Sequence, residues 1–152
     1  MKILAVFVVT FMSFQVFSTI PKFACTTKFM NYVRDGKGEK HEIVMTLKKY
    51  TPVEVIKRDE KWVHVKTYQG SGWIHSSLIS EEIRCMQILE PADAPCSARR
   101  EKRNAPFYYL EPFKVLEVDI GCNKVSDQWG NEIWVSNQKV WPEEGLSVGI
   151  KI

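Results

Sequence analysis

The side chains able to do chemistry here are four cysteines (Cys25, Cys85, Cys96, Cys122), three histidines (His41, His64, His75) and a rich set of aromatics that includes five tryptophans. A cysteine nucleophile needs a histidine within hydrogen-bond reach and a thiol of lowered pKa. A structural zinc site needs cysteines and histidines at short, fixed spacings. Neither pattern is written in this chain: there is no CxxC pair, and the histidines do not cluster with the cysteines. No catalytic residue, metal site or cofactor is therefore expected. Disulfide bonding is the simplest use of the cysteines, and four of them allow three pairings that sequence spacing does not choose between. The aromatics offer the other chemistry, since rings with an apolar body and a polar edge suit binding.

The start of the chain, "MKILAVFVV", puts one basic residue ahead of an apolar run reaching Phe17. That is the shape of a secretory signal, with Val16 and Ser18 suiting cleavage after Ser18. The run is shorter than the ~20 residues a membrane-spanning helix needs, so no stable span is expected after cleavage. An exported chain meets an oxidising compartment, where disulfides persist. The balance of 21 Lys+Arg against 18 Asp+Glu argues against a nucleic-acid partner or a strongly anionic surface. The densest basic cluster, "RREKR" (99–103), is broken by Glu101 and reads as a solvated loop.

These residues have to be positioned by strands. Val53 and Val55, then Trp62, Val63 and Val65, alternate with Glu54, His64 and Lys66, the period of two that buries one strand face. Polar, glycine-rich connections are expected at 57–61 and 68–72, and no capped helical window occurs from 27 to 80. The stretch "GSGWIHSSLIS" (70–80) has a loose echo in "GNEIWVSNQKVW" (130–141). Leu47 answers Leu110 and Val65 answers Val125 in the same order. With "EPADAP" (90–95) as a joint, the chain divides into 1–18, a first unit at 25–84, a second at 85–145 and a tail at 146–152. Each unit is near the lower size limit for a self-supporting core, where disulfides help.

"NYVRDGKG" (31–38), "LKKYTPVEVI" (47–56), "KWVHV" (61–65) and "GSGWIHSSLIS" together resemble the successive signatures of a bacterial SH3-type domain. "YLEPFKVLEV", "NEIWV" and "KVWPEEG" resemble the diverged partner domain of two-module exported proteins of that kind. The resemblance implies an all-β fold of two small SH3-like five-stranded barrels in tandem after the signal peptide. Gly72 would admit a close backbone, Trp73 would lie over the barrel edge, and Ile74 and Leu78 would point inward. Departures are Lys37 for a usual proline, Glu132 where the second unit's glycine would fall, and Cys122 near that unit's expected tryptophan.

In a barrel that brings its ends together, Cys25 and Cys85 would bridge the first unit, leaving Cys96 and Cys122 for the second. The resemblance also implies a non-catalytic, periplasmic or secreted binding protein whose aromatic groove recognises a cell-wall peptide or an envelope protein. Groove candidates are Tyr32, Tyr50, Trp62, Tyr68, Trp73, Trp129 and Trp134, with Trp62 and Trp73 foremost. Tyr108 and Tyr109 are further aromatics of the second unit, Asp35 and Glu60 are acidic partners for an amine, and His64 and His75 read as polar-face residues. The rival expectations are an accessory subunit docking on another envelope protein and a small cell-wall hydrolase.

Overall fold

A computed structural model describes residues 22–90, 107–136 and 139–143. The signal segment 1–18, Cys96, most of the 90–95 joint and the tail 146–152 lie outside the described residues. The strands are β1 (Lys22–Thr26), β2 (Asn31–Arg34), β3 (Ile43–Leu47), β4 (Pro52–Asp59), β5 (Trp62–Thr67), β6 (Gly70–His75), β7 (Ile79–Ser80), β8 (Arg84–Ile88), β9 (Pro112–Asp119), β10 (Cys122–Ser126), β11 (Glu132–Ser136) and β12 (Val140–Trp141). A single 3-10 turn at Ser76–Leu78 joins β6 to β7. Among the described residues no helix is long and apolar enough to cross a membrane.

Two antiparallel sheets result, ordered β3-β2-β6-β5-β4-β1-β7 and β11-β10-β9-β8-β12. The expected all-β class with an SH3-like domain is found. The first sheet has seven strands rather than five, because β1 fills the gap between β4 and the short β7. Alternation builds each core. Ala24, Val33, Leu47, Val53, Val63, Val65 and Ile74 close one cluster, with Leu78 packed against it. Met86, Ile88, Phe113, Val115, Val125, Val135 and Val140 close a separate one.

The hairpin connections are tighter than the polar runs imply. Lys57 to Asp59 belong to β4, leaving Glu60 and Lys61 as the turn, with Glu60 at φ 52°. The second hairpin turns at Tyr68 and Gln69 alone, since Gly70 already pairs with Thr67. The charged residues of the β4 end are therefore strand residues on the solvent side, which sequence polarity alone does not distinguish from a loop. The match between the two units also shifts. Tyr50 and Leu110 both stand at positive φ two residues before a proline that opens an eight-residue strand, so Leu110 corresponds to Tyr50 and not to Leu47.

Two buried asparagines separate the units. Asn31 anchors the start of β2: its Nδ2 donates to Lys28 O (2.6 Å) and Leu47 O (3.1 Å), and its Oδ1 accepts from Lys28 N. Asn123, equally buried on β10, has only Met86 Sδ at 4.0 Å for its Nδ2, and its Oδ1 meets no donor. Leaving a buried polar group unpaired costs about 1–3 kcal/mol, whereas its apolar replacement is neutral or favourable. Asn31→Val should then lower stability by about 2 kcal/mol and Asn123→Val should leave it unchanged or raise it. Urea midpoints of the two variants at unchanged slope check the contrast.

The sheets meet at a covalent and an aromatic joint. Cys25 on β1 is bridged to Cys85 on β8, 60 residues on, the pairing expected from the two-unit layout. Because β8 belongs to the second sheet, the bridge ties one unit to the other while enclosing β2 to β7 in its loop. Cys122 is also disulfide-bonded, while Cys96 lies outside the described residues. Around this joint Phe23 packs edge-on to Trp141 at 5.6 Å, and Tyr68 contacts both Tyr109 (6.4 Å) and Trp141 (6.5 Å).

Candidate functional site: an aromatic groove on the first unit

The β5–β6 hairpin sends Val63, Val65 and Ile74 into the core and Trp62, His64, Trp73 and His75 out of the opposite face. The two-residue turn fixes the register, so Trp62 faces His75 and His64 faces Trp73. The outer face is thus a checkerboard of two tryptophans and two histidines. Trp62 and His75 meet edge to face at 5.5 Å, and His64 lies tilted over Trp73 at 5.0 Å. β2 supplies Arg34 beside Trp73, and β4 supplies Lys57 beside His64.

Beside this face lies a groove of about 330 Å³ lined by Tyr32, Arg34, Glu39, Trp62, His75, Ser77 and Leu78. Its wall is held from several directions. Gly72 lets β2 come close, since a Cβ there would stand 2.6 Å from Val33 Cγ1 and 2.7 Å from the Arg34 carbonyl. Arg34 donates to the His41 carbonyl at 2.6 Å, fixing the loop that carries Glu39. His75 caps the 3-10 turn: its Nδ1 accepts from Ser77 N (3.3 Å) and lies 2.8 Å from Ser77 Oγ. Accepting at Nδ1 leaves the neutral ring's proton on Nε2.

Charges frame the face. Lys37 Nζ pairs with Asp59 at 2.6 Å, and this hydrogen bond, with the lysine's charge, holds the Asp59 carboxyl below the usual range. The same ammonium lies 5.7 Å from the Trp73 ring, and that of Lys57 lies 5.2 Å away, so Trp73 is engaged by two cations already. Further along, Glu81 takes Lys22 and Arg58, which lower its pKa in that order of hydrogen bonding. Among the described residues no three metal-ligating side chains come together.

Of the sequence candidates, Tyr32 and Trp62 line the groove and Trp73 flanks it on the same face. The other four stand elsewhere. Tyr50 sits half-buried before β4 with Lys49 over its ring at 4.8 Å. Tyr68 is at the far end of the hairpin, in the inter-unit joint. Trp129 projects from the β10–β11 turn, 70% exposed. Trp134, paired with Lys124, is 8% exposed and offers no platform. Asp35 is taken by His41 at 3.2 Å, and Glu60 turns the β4–β5 hairpin, so Glu39 is the acid at the groove.

The second unit does not repeat this face. Asp59 faces Trp62 in the first hairpin and Asp119 faces Cys122 in the second, so a disulfide-bonded cysteine stands in the tryptophan's place. Ser136, opposite Cys122, stands for His75. The residue before Trp134 is Ile133, not Glu132, and it pairs with Val125 as Gly72 pairs with Val65. Among the described residues no strand lies beyond β11, so nothing there demands a glycine.

Sequence reasoning missed Arg34, Glu39, Ser77 and Leu78 as groove residues and left His75 as a surface polar group. Period two over 31–34 does put Tyr32 and Arg34 on one face. The other contributions depend on register and on the loop's path.

Comparison with known proteins fits the first unit. No curated protein matches the chain. Solved structures similar to it include NlpC1 from Trichomonas vaginalis, at 10% identity over 88% of this chain and 50% of that one, TM-score 0.38. NlpC2 from the same organism is also similar, at 10% identity over 80% and 48%, TM-score 0.38. The chain spans about half the length of these two proteins, and likeness at this level says nothing of activity. Residues 31–80 match the bacterial SH3 domain family. That span runs from the first residue of β2 to the last of β7, and this part of the chain is a bacterial SH3 domain.

Proposed function

We propose that the chain is a non-catalytic, exported binding protein that holds an extended peptide, from the cell wall or from an envelope protein, in the groove of its first unit. The observation carrying this reading is the groove itself: aromatic rings of Tyr32, Trp62 and His75 beside Leu78, with one cation, Arg34, and one anion, Glu39, on its walls. Aromatic-lined grooves suit extended peptides, whose side chains fill apolar ground while charged walls set direction. Disulfides at Cys25–Cys85 and at Cys122 support folding in an oxidising compartment, periplasmic or extracellular. The second unit serves as a diverged partner that does not repeat this aromatic face.

A non-catalytic role is supported by how the site's polar groups are spent. The Ser77–His75 contact is a local cap spanning two residues, and the same Nδ1 also takes the Ser77 backbone N–H.

Retention of the purified chain on isolated sacculi tests the reading, with Trp62→Ala as the diagnostic variant. Truncating a central aromatic should weaken retention at least about tenfold. Undiminished retention of Trp62→Ala overturns the groove. Retention only when a second envelope protein is added favours the accessory-subunit reading.

A further inference from the structure

A second hollow lies away from the groove, at the junction of the units. Trp129 is the most exposed of the chain's described tryptophans and has no place in either core cluster. Its turn is nonetheless closed by hydrogen bonds. Asp127 Oδ1 accepts from Trp129 N and Asn131 N, both at 2.9 Å, and Oδ2 accepts from Asn131 Nδ2 at 2.8 Å. Gly130, at φ 94°, donates back to the Asp127 carbonyl. Burial pushes the Asp127 carboxyl upward, but these hydrogen bonds outweigh it and hold the pKa below the usual range. With the backbone of the turn already held, covering the indole has only its own side-chain rotamers left to order.

Tyr108, 63% exposed, and Trp129 line one hollow of about 120 Å³. Glu111, Pro112, Asp127 and Gln128 line it from the second unit, and Lys48 reaches it from the first. Three features narrow the ligand. Carboxylate, amide and ammonium groups surround the rings, so the partner has to donate and accept hydrogen bonds around its rim. Both charge signs are present, which disfavours a strongly charged ligand: Lys48 repels a cation and the acids repel an anion. Pro112 gives the hollow an apolar wall beside the two aromatic residues, and its size suits one ring. A pyranose meets all three, with a face of C–H groups for the indole and an edge of hydroxyls.

The geometry points to a carbohydrate subsite in which Trp129 and Tyr108 stack on a pyranose ring while Glu111, Gln128 and Lys48 bond its hydroxyls. It is independent of the peptide groove, sharing no lining residue with it. A prolyl ring could stack on the same indole, but it would leave the polar rim unused.

The test is retention of the whole chain on arrayed oligosaccharides and, in parallel, on arrayed proline-rich and lysine-rich peptides, for wild type, Trp129→Ala, Tyr108→Ala and Trp62→Ala. Wild type and Trp62→Ala should be held by oligosaccharides, and Trp129→Ala should be weakened at least about tenfold. Tyr108→Ala should weaken it in the same direction, and since both side chains are exposed neither change should disturb folding. Failure of every oligosaccharide to retain wild type overturns the subsite. So does retention that Trp129→Ala leaves untouched, or a Trp129-dependent signal on the peptides alone.

Discussion

Gly72→Ala should lower the stability of this protein by on the order of 3 kcal/mol. Gly72 does not stand at positive φ, so the demand on it is space and not backbone freedom. The added methyl would sit 2.6 Å from Val33 Cγ1 and 2.7 Å from the Arg34 carbonyl, one a core atom and the other main chain. Neither can swing aside as an exposed side chain would. Relief requires β2 to retreat from β6, opening the core at Val33 and carrying Tyr32 and Arg34 away from the groove. The entropy alanine removes from the unfolded chain, about 0.4–1 kcal/mol, offsets only part of this. Urea unfolding gives the number, and groove binding should fall in parallel. Ser71→Ala, next door on the exposed side, is the control. A Gly72→Ala protein within about 0.5 kcal/mol of wild type would mean that β2 is not held against β6.

The second large effect belongs to the covalent joint. Replacing both Cys25 and Cys85 by alanine removes a cross-link 60 residues long, which the chain-entropy account values at roughly 4 kcal/mol. Both residues are buried, at 2% and 7% exposure, so reductant reaches the bond only after local opening. The bridge joins β1 to β8, so its loss should also loosen the aromatic contacts of Tyr68 with Tyr109 and Trp141. Two separate urea transitions in place of one, under non-oxidising handling, are the expected signature. A double variant with the wild-type midpoint and a single transition would show that packing alone joins the sheets.

How much of this was written in the sequence depends on distance along the chain. Val53, Val55, Val63 and Val65 announced β4 and β5 because a strand's period is local. Gly72, Ile74 and Leu78 were legible through the resemblance of "GSGWIHSSLIS" to the bacterial SH3-type signature, which implied a close backbone at Gly72 and inward Ile74 and Leu78. The Cys25–Cys85 pairing followed from the two-unit layout, yet its effect on the joint did not, since that depends on β8 belonging to the second sheet. Trp134 reads like Trp73 in sequence, but its burial does not follow from its place on the strand. Glu39 and Arg34 reach the groove through a loop whose course no periodicity encodes. Tyr68 looked like a groove residue and lies at the opposite end of its hairpin, because sequence does not say which end of a hairpin a second unit abuts.

The Cys25–Cys85 bond also decides how the chain carries mechanical load. A pull on the two ends would pass directly across the sulfurs, leaving everything from Thr26 to Arg84 slack. At about 3.3–3.6 Å per residue, roughly 200 Å of contour is withheld from extension. The bacterial SH3 domain would therefore keep its shape under tension, while the strands that follow the bond bear the strain.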